Sequence, residues 1–472
     1  MTHADNRGPD VSLPTPAALP RVLGTASAAG VMIGLIIGSG IFRVPSTVAA
    51  QVDSVGAIAM LWVMGGALAL FGSLTLAELA CLYPEAGGVY VFLRQAYGPL
   101  PAFLYGWTRL LLLVPASVGA IALIFGSYAG AFIDLGPSGE RWFAAALIVA
   151  LTALNYRSLL WGAWVENGVT LAKVLALAVV AVAAFVFGSP EAGSFAEPLR
   201  WAPTSWSGFG LALVTVMWAY SGWSSVVALA GEIKDPARTL PRALIGGVTL
   251  VIVLYLVTNG AYHFLLSTPQ IAASPLVASD AATRVFGPVG SRIVAGLVIL
   301  STFGAVQAAL MFNPRIFYAM ATDGLLLGPV GRVHQRFLTP HFAIVFTAGL
   351  GIAYLSLRSF EQLAQAFILG VWPFHILMVW AVFRLRKRQP DLPRPFRTPG
   401  YPVIPAVFLL ASAALILNAL VQETRLTLFG FGLILAGIPV FLVVQRRRGE
   451  RSGPDVGRHS HRDRPRGTER SR

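Results

Sequence analysis

Twelve long apolar stretches, separated by short polar connections, decide what this chain can fold into. They lie near residues 24–44, 56–82, 101–133, 142–156, 161–188, 207–231, 242–266, 289–321, 341–357, 361–383, 402–421 and 426–444. A helix needs about 20 apolar residues to cross a bilayer. Inside lipid every backbone N–H and C=O must find a partner within the protein, so each stretch reads as a helix. Charged residues are 12% of the 472, against about 25% in soluble domains. The expected fold is therefore an all-α integral membrane protein with twelve transmembrane helices, and the lipid bilayer is its solvent. The first 20 residues are polar and Pro-rich, with no apolar run behind a basic start, so no cleavable signal peptide is expected.

Lys and Arg set the orientation. The connection after span 6 holds Lys234, Arg238 and Arg242; that after span 8 holds Arg332 and Arg336; that after span 10 holds Arg386, Lys387, Arg388, Arg394 and Arg397. The opposite loops carry isolated arginines such as Arg141, Arg200, Arg358 and Arg425. This asymmetry places both termini in the cytoplasm of a cell-membrane protein. The net charge of +14 raises the question of nucleic acid. Ten arginines against four acids lie from Gln445 to the end, with no Phe, Trp or Tyr among them. Such a tail offers bases no stacking platform and reads as a solvated extension beside anionic headgroups, so no nucleic acid is expected as a partner. The expected organisation is a disordered cytoplasmic N-tail (1–20), a transporter core (21–384, halves near 21–190 and 205–384), a loop with helices 11 and 12 (385–444), and a basic disordered C-tail (445–472).

Two spans look interrupted. Span 1 contains "GLIIGSGIF" (34–42) and span 6 contains "VMWAYSGWSSVV" (216–227), so Ser39-Gly40 and Ser221-Gly222 fall mid-span, five spans apart. Either cluster alone reads equally as a small-residue packing face or as a break. Their matching positions favour breaks in a five-plus-five repeat. With five helices per half, the halves must be inverted, and paired breaks in such halves point to a transporter's central site. Helices 11 and 12 are then additions.

A break in span 1 frees the N–H groups of Ser39, Gly40 and Ile41 at the positive end of a half-helix dipole, where a carboxylate fits. It also frees carbonyls near Ile36 and Ile37, and a break in span 6 frees those near Trp218 and Ala219; an ammonium fits there. Gly38, Gly40 and Gly222 leave the approach open. Such a site takes the zwitterion of an amino acid. Ser221 and Ser224 line a modest pocket suited to a neutral side chain, and Trp218, Tyr220 and Trp223 form either lipid-facing filler or a lid. Spans 1 and 6 contain no Asp or Glu, which argues against a cationic cargo. Lys173, in "TLAKVLAL", lies too deep in span 5 to snorkel. It reads as a tethered cation where sodium would otherwise sit, or as a lysine paired with another span's polar residue. Glu78 and Glu232 read as gate or ion-pair residues at helix ends. Arg109, near the start of span 3, reads as able to snorkel. His263 and His375 read as hydrogen-bonded packing residues before proton relays. No catalytic constellation, metal site or cofactor motif is expected. One cysteine, Cys81, excludes an internal disulfide.

Several motifs occur in order: "GLIIGSGIF", "LAELACLYPEAGGVYVFLRQAYGPLPAFLYGW" (76–107), "LAKVLAL" (171–177), "WAYSGWSS" (218–225), "GEIKDPARTLPRAL" (231–244) and "RLRKRQPDLPRPFR" (384–397). With them, over spans 1 to 10, the chain resembles the amino acid–polyamine–organocation superfamily and its L-type amino acid transporter branch. The resemblance implies a twelve-span fold with substrate at the breaks and alternating access. It matches Gly38, Ser39, Gly40 and Ile41 to the carboxylate loop, Trp218 to an aromatic gate, and Lys173 to the lysine that replaces sodium. Trp372 matches a tryptophan near the pocket. Ser221 and Ser224 depart from many relatives, so side-chain selectivity does not transfer. Heteromeric members use a cysteine in the loop after span 3; "DLGPSGE" (134–140) has none, so no disulfide-linked ancillary subunit is expected. The expected function is sodium-independent transport of neutral L-amino acids by exchange or proton coupling. The alternatives are an amine or cationic amino acid permease and a non-transporting amino acid sensor.

Overall fold

The computed structural model describes residues 21, 23–157, 162–189, 200–203, 205–325 and 341–451. The expected N-tail, the expected C-tail (445–472) from 452 onward, and Arg332 and Arg336 lie outside these residues; the first part of that tail, 445–451, is helical. Within them the structure is helical, and the one β-type pairing is an isolated bridge between Leu23 and Ile233.

All twelve expected spans coincide with helices, several in two pieces. Span 1 is α1 (Thr25–Ile36) plus α2 (Gly40–Gln51); span 2 is α3 (Val55–Leu82). After α4 (Val89–Tyr97), span 3 comprises α5 (Pro99–Thr108), a π-helical turn (Arg109–Leu113) and α6 (Val114–Ala129). Spans 4 and 5 are α7 (Gly136–Arg157) and α8 (Gly162–Phe187). Span 6 is α9 (Trp206–Ala219) followed by a 3₁₀ segment (Val226–Glu232); span 7 is α10 (Pro236–Leu265). After the short α11 (Thr268–Ala273), span 8 is α12 (Val277–Phe312), continued after Asn313 by α13 (Pro314–Thr322). Spans 9, 10 and 11 are α14 (His341–Leu357), α15 (Phe360–Arg388) and α16 (Val403–Gln422); span 12 is α17 (Thr424–Leu435) with α18 (Gly437–Arg451). Among the described residues, nine segments are long and apolar enough to cross a membrane, and Trp206–Ala219 and Phe342–Leu357 are shorter apolar helices. Span 8 departs from its expected bounds. Its helix starts earlier, at Val277, bends at Gly287 (φ 65°), and stops before Pro314, which has no backbone N–H to continue the ladder.

The internal repeat is visible in which helices touch. Exchanging spans 1–5 with 6–10 maps many of the main contacts onto one another. Span 5 packs on span 8 as span 10 packs on span 3. Span 1 packs on span 5 as span 6 packs on span 10, and span 1 on span 7 as span 6 on span 2. Spans 1 and 6, 2 and 7, 3 and 8, and 4 and 9 pair directly.

Burial follows helical period. On α8 the exposed Leu171, Leu175, Val179, Val182 and Val186 recur every three or four residues, a lipid-facing stripe. Lys173, two residues from Leu171 and Leu175, falls on the opposite face and is 2% exposed. At the end of the bundle that carries the basic connections, Glu78 of α3 is buried. It accepts from Arg386 (2.9 and 2.7 Å) and from both N and Oγ1 of Thr398 (2.8 and 2.7 Å), with Arg394 3.4 Å away. The expected ion-pair role of Glu78 is thus met by residues from the end of span 10 and the loop behind it. A buried carboxylate is tolerable only with such partners.

Candidate functional site

Both interruptions are real breaks, and they differ in build. In span 1, Ile37 (φ −76°, ψ 65°) forms an inverse γ-turn, closed by Gly38 N–H donating to the Ile36 carbonyl at 2.7 Å. The helix resumes at Gly40, and the N–H groups of Ser39, Gly40 and Ile41 have no partner among the described residues. In span 6, Ser221 N–H donates to the Trp218 carbonyl at 3.0 Å, and Gly222 turns the chain at φ 107°. There the chain resumes as the 3₁₀ segment, a correction to the expected α-helical second half.

The breaks touch each other. A Cβ on Gly40 would stand 2.5 Å from the Ala219 Cα, and one on Gly222 would stand 2.7 Å from the Leu35 carbonyl oxygen. Three other spans support the junction. The Tyr255 hydroxyl lies 3.0 Å from the Ile36 carbonyl and 3.1 Å from that of Ala219, so its single proton serves either broken end. Ser301 donates to the Gly38 carbonyl at 2.9 Å. The Lys173 amine is 3.5 Å from the Gly34 carbonyl, behind α1.

A cavity of about 100 Å³ opens where the breaks meet. Gly38, Ser39, Gly40, Trp218, Ser221, Gly222 and Ser224 line it. Ile37, Ile41 and Ala219 are fully buried next to these lining residues. Trp218 sits edge-on to Phe360 and Phe367, with centroids 5.9 and 5.2 Å apart. On the same side Arg43 of α2 pairs with Glu361 at the start of α15 (2.8 Å). Since α15 ends at the Glu78 cluster, this closure lies at the opposite end of the bundle. The cavity runs the other way, past Ser224 to Gly87, Ala228 and Ile316.

Trp223 and Trp372 do not line the cavity. Trp223 is packed against the Cβ-free face of Gly72, where a Cβ would meet its ring at 2.6 Å, and against His375 (4.9 Å). Trp372 stacks on Phe408 and also meets His375. His375 Nε2 lies 3.2 Å from the Ser224 hydroxyl, so these rings stand one layer behind the wall.

Sequence reasoning missed three residues here, Tyr255, Ser301 and Asn313, and misplaced a fourth, Arg109. Arg109 lines the cavity instead of reaching for an interface. The cause is local. Pro115 has no N–H for the Leu111 carbonyl, and Tyr354 donates to that carbonyl instead, at 2.8 Å. The helix widens into a π turn, with Val114 N–H returning to the Arg109 carbonyl. Such bulges often accompany functional sites.

The comparisons with known proteins agree with this geometry. The family described as "Amino acid permease" matches residues 23–444. The serine/threonine exchanger SteT of Bacillus subtilis is 30% identical over 433 residues, 91% of this chain and 98% of that protein. The b(0,+)-type amino acid transporter 1 of Mus musculus is 31% identical over 411 residues, 86% of this chain and 84% of its own. The large neutral amino acids transporter small subunit 2 of Mus musculus is 31% identical over 438 residues, 90% and 81% respectively.

Proposed function

We propose that this chain, which belongs to the amino acid permease family, is a sodium-independent secondary transporter of neutral L-amino acids working by alternating access. The observation that carries the reading is the meeting of two helix breaks at one cavity. On one side stand the unpartnered N–H groups of Ser39 and Gly40, at the positive end of α2. They receive the substrate carboxylate, with Ile41 N–H behind them. On the other side the carbonyl ends of α1 and α9, at Ile37, Trp218 and Ala219, receive the ammonium. The hydroxyls of Ser221 and Ser224 face a small polar side chain, which fits a relative named as a serine/threonine exchanger.

Lys173 fills the role of a sodium ion: it is buried, and its amine reaches a carbonyl near the end of α1. In this reading both termini are cytoplasmic, Trp218 closes the site from outside with the Arg43–Glu361 pair, and the cavity opens inward. Trp223 and Trp372, expected as gate residues, instead back the Ser224 wall through His375. Cys81, buried beside the Pro236 and Ala237 carbonyls, leaves no cysteine for a disulfide-linked partner. Coupling is by exchange or by proton symport. A cationic cargo, although the name b(0,+) belongs to a relative, is disfavoured by Arg109 in the wall.

Counterflow in proteoliposomes tests this. Vesicles preloaded with serine should take up labelled serine, neutral amino acids should compete, and replacing sodium with choline should change nothing. Absence of competition by every neutral amino acid defeats the reading; dependence on a pH gradient separates symport from exchange.

A further inference from the structure

Arg109 is a cation set in the cavity wall without a carboxylate partner among the described residues. Its Nη1 donates to the Tyr105 hydroxyl at 2.9 Å and its Nη2 to Asn313 Oδ1. Its Nε is buried with no acceptor. Asn313 is held in that orientation because its own amide donates to the Ala309 carbonyl at 2.6 Å, which leaves only the carbonyl oxygen to face the guanidinium. Both supports are neutral. The cavity lining contains no Asp or Glu.

An ionised side chain inside a membrane protein is expensive, and normally faces a partner or a substrate path. Two neutral acceptors and the face of the Tyr105 ring, 5.5 Å from the guanidinium carbon, leave most of the five donors free and set no opposite charge against the cation. A carboxylate is the group that matches it, in a bidentate and charge-assisted pairing. The cavity is continuous from the N–H groups of Ser39 and Gly40 to Arg109. It therefore offers two anion-seeking poles in one space, one of backbone and one of side chain. The π turn that widens span 3 begins at Arg109 itself, and Asn313 stands where span 8 is interrupted before Pro314. Both backbone irregularities sit at this second pole.

We propose that Arg109 gives the site a second substrate class: amino acids whose side chain ends in a carboxylate, aspartate and glutamate. This rests on the transport reading above. The α-carboxylate goes to the N–H groups at the span 1 break, and the side-chain carboxylate goes to the Arg109 guanidinium, steadied by Asn313 and Tyr105. The same charge repels lysine and ornithine.

The test is serine-loaded counterflow in proteoliposomes with L-serine, L-aspartate, L-glutamate and L-lysine as external substrates, in wild type, Arg109→Gln and Arg109→Lys. Wild type should exchange serine for aspartate or glutamate and not for lysine. Arg109→Gln should lower the aspartate-to-serine rate ratio at least tenfold, and Arg109→Lys should restore part of it. A thermal shift of the detergent-purified protein by aspartate, reduced in Arg109→Gln relative to the shift by serine, reads the same selectivity without transport. Serine exchange in wild type without aspartate or glutamate exchange overturns the proposal and leaves the transport reading standing. An unchanged ratio in Arg109→Gln also overturns it. No counterflow with any amino acid defeats the transport reading, and this proposal with it.

Discussion

The two broken spans carry nearly the same signal, Ser-Gly in mid-helix, and the structure spends it differently. Span 1 breaks through a tight turn at Ile37 with no residue at positive φ, then restarts as a twelve-residue α-helix. Span 6 breaks through Gly222 at φ 107° and restarts as a seven-residue 3₁₀ segment. A regular α-helical start aligns its first peptide dipoles on one point, which suits an anion. The 3₁₀ restart has poorer hydrogen-bond geometry, and span 6 offers shape instead: its turn presses Gly222 onto the Leu35 carbonyl, and the last turn of α9 presents Trp218 to Phe360 and Phe367. In the proposed reading, pseudo-symmetric positions thus hold unequal jobs: span 1 supplies the pole for the carboxylate, and span 6 adds carbonyls for the ammonium together with fit and closure.

Substituting Gly222 attacks that comparison hardest. Gly222→Ala meets two obstacles at once, a left-handed φ and a carbonyl 2.7 Å from the new Cβ. Strained backbone of this kind costs about 1–3 kcal/mol before the clash is counted. Counterflow should vanish, with a lowered melting temperature in detergent. Gly40→Ala should come next. Its φ is ordinary, so the conflict is only with Ala219, whose Cα and Cβ would lie 2.5 and 2.9 Å from the new Cβ. Exchange should fall at least about tenfold, since separating the two half-helices displaces both poles of the proposed zwitterion site. Near-normal exchange in Gly40→Ala would show that the breaks do not need to touch.

Lys173 and Tyr255 sharpen the comparison from behind. Lys173→Ala removes the buried cation near the end of α1; exchange should drop by about tenfold or more, on the several kcal/mol scale of buried charges. Wild-type exchange in this variant would remove Lys173 from the mechanism. Tyr255→Phe removes one proton shared by the Ile36 and Ala219 carbonyls. A hydrogen bond is worth about 0.5–1.5 kcal/mol net, so the serine dissociation constant should weaken by roughly three- to tenfold, measured by titration in detergent.

What was readable in the sequence follows from how local each signal is. The spans, the breaks and the depth of Lys173 are properties of contiguous stretches, and lipid enforces them one helix at a time. The Glu78 cluster was half readable: a carboxylate at a helix end demands partners, but that these are Arg386, Arg394 and Thr398 depends on packing 300 residues apart. Arg109 was misread because depth was judged from the edge of an apolar window. The helix begins at Pro99, so Arg109 lies in its third turn, and the π turn redirects it. Pro115, six residues on, was the available clue. Trp223 and Trp372 show the reverse difficulty. The turn at Gly222 resets the helical period, so aromatic spacing no longer tells which ring lines the cavity and which stands behind it.

Gly38→Ala carries the smallest expected effect and the finest distinction. In "GSG" both glycines look equally necessary, and a reading from sequence assigns both to the substrate's approach. The structure separates them. A Cβ on Gly38 would meet the Ala305 Cβ at 3.6 Å, ordinary van der Waals contact, and its φ is not positive. The Ser301 hydroxyl bonds the Gly38 carbonyl, a backbone contact that alanine keeps. Replacing a glycine where alanine fits also restricts the unfolded chain, a gain of about 0.4–1 kcal/mol. Gly38→Ala should therefore exchange serine within about twofold of wild type and melt no lower. If it is instead as damaged as Gly40→Ala, the substrate occupies the space beside Gly38 itself, and the ammonium end of the site lies deeper in span 1 than the junction with Ala219.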